Sequence, residues 1–518
     1  MHKSLAAGLL LAILTLSTGC LGPRLARCPA DGGSPWRSLE SEHFTLKTDL
    51  SSQEAHEAVV YLERLRAALL AAAWPEAHDR PMEKVTVYVL GRSQDFENLF
   101  PSRLQGLFIR NNGGELSIFI HGSPSTWSER SDGSSLSTVK HELAHYLSAY
   151  FLIRQPRWLG EGLAGYLQTL ELSEDGKTAT VGKPYPQAAA WMDYQLQLVR
   201  NRQVLSWSAW SVFNWDSRKV DEYTPQQSSG FYATSWLLVH WLSNTRPEGF
   251  AKFQARLAKG ADPRQSFSEV FPELRGADLD SLLLPYLLRG SFKERTVRVP
   301  PVTTSATERP LGDSEVHAVR ARLALTASYL SKEGSKERLE LARTELAEAL
   351  RLEPANLSAI RLKVGVGDVP DAQRLPLVRA AVAAYPEEGR AWWLLAMVLP
   401  KDASTLAERE AAYAKAVALS PNDSGAANEL AWMHVLHGRY AEALPLAARA
   451  VELAPWDPLV LDTYAMTVAG LGRCEEAILT EQRALDVLQD YQDPKLVKLF
   501  RERLAAFTPT SCLPQLTP

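Results

Sequence analysis

Apolar and polar positions alternate over residues 43–48, the period of a strand with one buried face. Over 53–73 the apolar positions recur at intervals of three and four, which predicts a helix, and residues 84–90 set Val85, Val87 and Val89 on one face of a second strand. A short helical piece is expected near 94–100. Residues 106–110 and 115–121 are further strand candidates, separated by Asn111-Asn112-Gly113-Gly114, residue types that favour the positive φ of a tight hairpin turn. From 134 to about 289 nearly everything reads as helix. The run VRVPPVTTSATERPLG then breaks the pattern with Pro, Thr and Ser, so residues 291–314 are expected to be a linker open to proteolysis.

The remainder repeats. Ala349, Ala381, Ala416 and Ala450 each open a short block ending in Pro354, Pro386, Pro421 and Pro455, at intervals of 32, 35 and 34 residues, and Ala484 continues the series at 34. The best unit, 424–457, has Leu430, Ala431, Gly438, Ala443, Ala450 and Pro455, small residues for close helix contact and a Pro to end the second helix. This pattern resembles tetratricopeptide repeats (TPRs). The resemblance implies an all-α solenoid over 315–507, its last helix near 494–507 a cap, with 508–518 a tail. Such a solenoid is a generic surface for a protein partner.

Composition narrows the class. The chain has 518 residues, 46% hydrophobic and 22% charged, enough apolar material for several cores and too much for wholesale disorder. Fifty-six Lys plus Arg against sixty Asp plus Glu leave a net charge of -4, which gives no basis for nucleic-acid binding. Lys3 precedes an apolar run over 5–16, the n- and h-regions of a secretory signal, too short to span a bilayer. The run leads into Ser17-Thr18-Gly19-Cys20, which resembles the lipobox of bacterial lipoproteins, although Leu16 lies one residue further from the Cys than is usual. That resemblance implies a signal peptide over 1–19, lipidation of Cys20, a tether over 20–35, and an exported protein of the cell envelope held on a membrane, periplasmic or on the outer face.

The chemistry concentrates in one short stretch. Residues 141–145 read His141-Glu142-Leu143-Ala144-His145 within an expected helix, 136–151. Positions i and i+4 share a helical face, so both imidazoles can reach one Zn²⁺, and Glu142, one position round, can approach a water on the metal. Downstream stands Arg157-Trp158-Leu159-Gly160-Glu161-Gly162-Leu163-Ala164-Gly165-Tyr166, after Pro156. The two blocks together resemble the gluzincin metallopeptidases, specifically the bacterial peptidase-MA-like proteins, whose HExxH helix is followed by a helix bearing WLxEGxAxY.

The resemblance implies an α+β metallopeptidase domain over 36–290, a small mixed sheet plus a helical subdomain. Glu161, sixteen residues after His145, matches the third zinc ligand, with a fourth position left for water. Glu142 is then the general base of peptide-bond hydrolysis, and a peptide or protein is the substrate. An extended substrate is expected along an edge strand, the place that residues 115–121 occupy. Tyr232, in a segment similar to the YxxS helix of these proteins, is expected to donate to the developing oxyanion, with Tyr223 the runner-up and core packing the competing role. Gly165 departs from relatives that carry an acid there, so another residue must steady a ligand if that acid does so. From a different class comes the alternative of an assembly or scaffolding lipoprotein, its zinc domain structural or inactive and its repeats binding the partner.

Weaker features complete the reading. Trp191, Trp207, Trp210, Trp215, Trp236 and Trp241 are expected in the core rather than on a ligand, and His240 as a packed histidine. Cys474 and Cys512 are a possible disulfide in an oxidising compartment, leaving Cys28 over.

Overall fold

The computed structural model describes residues 27–75, 82–100, 106–109, 116–122, 124, 135–203, 208–215, 223–274, 277–488 and 494–512. The expected signal peptide, Cys20, the 111–114 turn and Trp207 lie outside them.

Strands β1 (Arg37–Glu40), β2 (Phe44–Thr48), β3 (Val85–Leu90), β4 (Gly106–Ile109), β5 (Ser117–His121) and β9 (Thr307–Pro310) form a mixed sheet in the order β4-β5-β3-β2-β1-β9. β2, β3 and β5 run parallel, setting Val87 between Leu46 and Ile118. The other pairings are antiparallel. Strand β5, over which the edge was expected, is interior: β4 pairs antiparallel on its outer side and takes the edge among the described residues.

Helix α1 (Ser52–Ala73) starts at a capping box, Ser51 with Glu54, and buries Val59, Leu62 and Leu69. With α3 (Ser135–Phe151), it covers the sheet face carrying Val85, Val87, Val89, Ile118 and Ile120. The opposite face, with Tyr88, Leu90 and Phe119, is covered by α2 (Ser93–Glu97) and by α10 (Asp313–Leu330), which contributes Val316, Val319 and Leu323. β3 is therefore buried at all six positions.

The helical part follows: α4 (Arg157–Leu167), α5 (Pro186–Arg200), α6 (Pro225–Thr245), α7 (Pro247–Leu257), α8 (Pro263–Val270) and α9 (Ala277–Arg289). It also contains a hairpin that the helical pattern did not predict, β6 (Glu171–Leu172) with β7 (Thr178–Val181). Gly176 turns it with φ +68, which a side chain would disfavour. Strand β8 (Arg295–Arg298) pairs with β7. Both β8 and β9 fall in residues 291–314, so the segment read as a linker is tied into two sheets.

Five helix pairs follow: α10 with α11 (Ser335–Leu352), α12 (Leu357–Gly365) with α13 (Asp371–Ala384), α14 (Gly389–Val398) with α15 (Leu406–Leu419), α16 (Ser424–Leu436) with α17 (Tyr440–Leu453), and α18 (Pro458–Gly470) with α19 (Cys474–Leu488). Helix α20 (Pro494–Ala506) closes the stack. Ala349, Ala381, Ala416, Ala450 and Ala484, the members of the periodic series, all sit at 0% exposure in the second helices. A disulfide joins Cys474 to Cys512.

The repeats do not hang free. Ala427, Ala450, Ala454, Trp456 and Val460 belong to the same core as the HExxH helix. Tyr150 donates to the Glu452 carbonyl at 2.6 Å, and Arg154 pairs with Asp486 at 2.5 Å. Among the described residues no helix is long and apolar enough to cross a membrane.

Candidate metal centre

α3 carries His141, Glu142 and His145; it ends at Phe151, the chain reverses through 152–156, and Pro156 stands at the N-cap of α4. Nine of the eleven residues of α4 are buried. Trp158 is fixed among Phe213, Phe253 and Phe267 at centroid distances of 5.3, 6.1 and 6.0 Å. Lys140 ties α3 to the far end of α4 by donating to the Leu170 carbonyl at 2.6 Å. Glu161 thus rides on a rigid helix clamped on two sides.

The three expected ligands converge. His141 Nε2 lies 3.1 Å from His145 Nε2, and Glu161 Oε2 lies 3.6 Å from the first and 3.3 Å from the second. Ligands at zinc bond lengths in a tetrahedron stand about 3.3 Å apart, so the spacing fits such an ion and the nitrogen and oxygen donors suit it chemically. Among the described residues this is the one group of three His, Cys, Asp or Glu side chains whose ligand atoms lie within 4.8 Å of one another.

The electrostatics agree. Burial alone would push the Glu161 carboxyl up, but His145 and His141 beside it hold it well below the usual carboxylate range. Burial disfavours the charged form of His141; hydrogen bonding and attraction to Glu161 outweigh that and raise it. Glu161 is thus held as a carboxylate beside the two imidazoles. The other Glu161 oxygen faces Arg157 at 3.5 Å, one helical turn back.

Tyr232, on α6, is half-buried and packs edge-on against Phe231 at 5.5 Å. Its phenol is raised chiefly by burial, with the Glu161 and Glu142 carboxylates adding to the effect and Arg157 opposing it. Tyr223 instead stacks on Trp215 at 3.9 Å. Trp236 and Trp241 are buried, and Trp191, Trp210 and Trp215 pack against the core. His240 is fully buried, stacked on Trp236 at 4.8 Å with Nδ1 2.7 Å from the Tyr286 hydroxyl. Cys28 is a buried free thiol beside His317 and Arg320, pushed up to about 11 mainly by burial.

Two nearby groups had no motif to announce them. Gln168 at the end of α4 bonds His141 Nδ1 at 2.8 Å. The Tyr185 ring lies against Gly165, where an added Cβ would come 3.1 Å from Cε1, so the glycine that departs from the acidic pattern makes room for a phenol.

Residues 135–262 match a family described as a protein of unknown function (DUF1570). No curated protein matches the chain. Among solved structures, the chain is similar to a thermophilic TPR protein of Thermus thermophilus, at 18% identity over 36% of this chain and 97% of that one, with a TM-score of 0.29. It is also similar to YrrB, a TPR protein with an unusual peptide-binding site, at 22% identity over 36% and 92% of the two chains (TM-score 0.25), and to MamA protein at 14% over 35% and 96% (TM-score 0.26).

Proposed function

We propose that this chain is a zinc-dependent peptidase, exported and held on a membrane by lipid at Cys20. The observation that carries the reading is the convergence of His141, His145 and Glu161 at tetrahedral spacing, with Glu142 on the same helix. Bound there, zinc would supply Lewis acidity to a water and to the scissile carbonyl. Glu142 accepts the proton of the attacking water on its carboxylate and delivers it to the amine nitrogen as the C–N bond breaks. Tyr232 donates a hydrogen bond to the carbonyl oxygen as negative charge collects there. Strand β4, at the edge of the sheet among the described residues, would offer backbone pairing groups to an extended peptide.

The repeats bring a protein partner or substrate to this unit. Supporting that role is a cleft of about 280 Å³ between the two parts, bounded by Glu83 and Lys84 on one side and by Arg361, Arg390, Trp393 and Asp423 on the other.

The test combines metal analysis with cleavage of a peptide library. About one Zn²⁺ per chain is expected, with cleavage by the wild type. His141→Ala and Glu161→Ala should lose the metal, whereas Glu142→Gln should keep it and lose turnover. Full metal and activity in Glu161→Ala would overturn the ligand assignment. Stoichiometric zinc without cleavage of any peptide would favour the scaffolding alternative.

A further inference from the structure

Resting on the zinc reading, we propose that Gln168 is the positioning residue of the site: its amide oxygen fixes the ring and tautomer of His141 and so sets the metal affinity. Gln168 follows Glu161 by seven residues, two helical turns, so α4 presents both toward α3 from one face. Its place at the end of that helix is fixed by its own backbone, whose N–H donates to Ala164 at 2.8 Å. The side-chain oxygen lies 2.8 Å from His141 Nδ1.

A carbonyl oxygen only accepts, so Nδ1 carries the proton and Nε2 presents its lone pair toward His145 and Glu161. The opposite amide orientation, with the NH₂ donating to Nδ1, would place the ring proton on Nε2, between those two groups, where it would block coordination. One rigid helix therefore supplies a ligand and the group that readies another ligand.

The choice of an amide also sets charge. A divalent ion with Glu161 as the one anionic ligand leaves the centre at +1, and Gln168 adds nothing to that. A carboxylate in its place would bring the centre and its outer partner to neutrality, binding the cation more tightly while weakening its pull on a substrate oxygen. Gln168 thus holds the imidazole without reducing the Lewis acidity of the centre.

The experiment measures zinc affinity of the full chain by competition with a chromophoric chelator, and thermal unfolding of the metal-free protein. Gln168→Leu removes the acceptor at similar volume and should weaken zinc binding by about 10–100-fold with little change in metal-free unfolding. Gln168→Glu restores an acceptor and should bind zinc at least as tightly as the wild type. ¹⁵N spectra of the metal-free protein, recorded at a pH high enough for the His141 ring to be neutral, should show the proton on Nδ1 in the wild type, and a mixture of tautomers in Gln168→Leu. Wild-type affinity in Gln168→Leu, while His141→Ala binds no zinc, would overturn this inference and leave the zinc site standing. A wild type that takes up no more zinc than His141→Ala overturns both.

Discussion

At the scale of single residues, the site depends on how closely α4 approaches α6. A Cβ on Gly162 would stand 2.5 Å from the Ser235 carbonyl oxygen and 2.6 Å from Val239 Cγ2. The first is helix backbone and cannot swing aside, so Gly162→Ala should force the helices apart at a cost of about 1–3 kcal/mol or more. Because Glu161 is its neighbour, zinc affinity should fall along with the unfolding temperature; a variant as stable as the wild type would mean that the helices yield easily. Tyr232→Phe should act oppositely, lowering turnover about 10²-fold while zinc content and unfolding stay near wild type. Unchanged turnover would assign Tyr232 to packing beside Phe231. His141, His145 and Glu161 were legible as a converging group because holding one ion would demand these residue types at these spacings, and Glu142 because it stands one position round the same helix. Gln168 and Tyr185 were not, because an amide at a helix end and a phenol in a loop acquire a role only from what the fold puts opposite them.

At the scale of elements, two stretches show when pattern suffices. The alanine series was readable because helix pairs stacked at a fixed period require the same small residue at every crossing, and all five alanines are fully buried. Residues 291–314 misled, because β8 and β9 are short, exposed edge strands rich in Thr, Arg and Pro, and their partners β7 and β1 lie more than a hundred residues earlier. Local composition cannot report pairing supplied from so far away. Protease should therefore spare β8 and β9 and cut, if anywhere in this segment, between them at residues 300–306, where the chain is mostly exposed. The nicked halves should co-elute on gel filtration, since β9 stays paired with β1 and Trp456 stays in the shared core. Separation into two pieces would show that strand pairing and packing are too weak to hold the halves. The Cys474–Cys512 bridge closes a loop of 38 residues, and Cys512→Ser should lower stability by about 2–4 kcal/mol, seen as a lower denaturant midpoint.

At the scale of the whole molecule, the repeats and the α+β part behave as one body, and a titratable contact lies at their junction. Half-buried Glu83 accepts the Ser424 N–H at 2.8 Å at the first turn of α16, where a helix terminus favours an acceptor carrying negative charge. Burial nonetheless pushes its carboxyl up to about 7, with nearby Asp423 adding to the effect and the Ser424 bond and Arg390 opposing it. Between about pH 4.5 and pH 7 the unfolded chain has released this proton while the folded chain keeps it, so Glu83 makes stability fall as pH rises through that window and become level above it. Glu83→Gln keeps an oxygen for the Ser424 N–H and has no proton to lose. Thermal unfolding of both proteins from pH 5 to pH 8 isolates the residue, because the other titrating groups cancel in the difference. The variant should gain on the wild type steadily up to about pH 7 and then run parallel to it. A difference that stays flat across the range would mean that Glu83 is already ionised at pH 5, with the helix terminus and Arg390 together outweighing its burial.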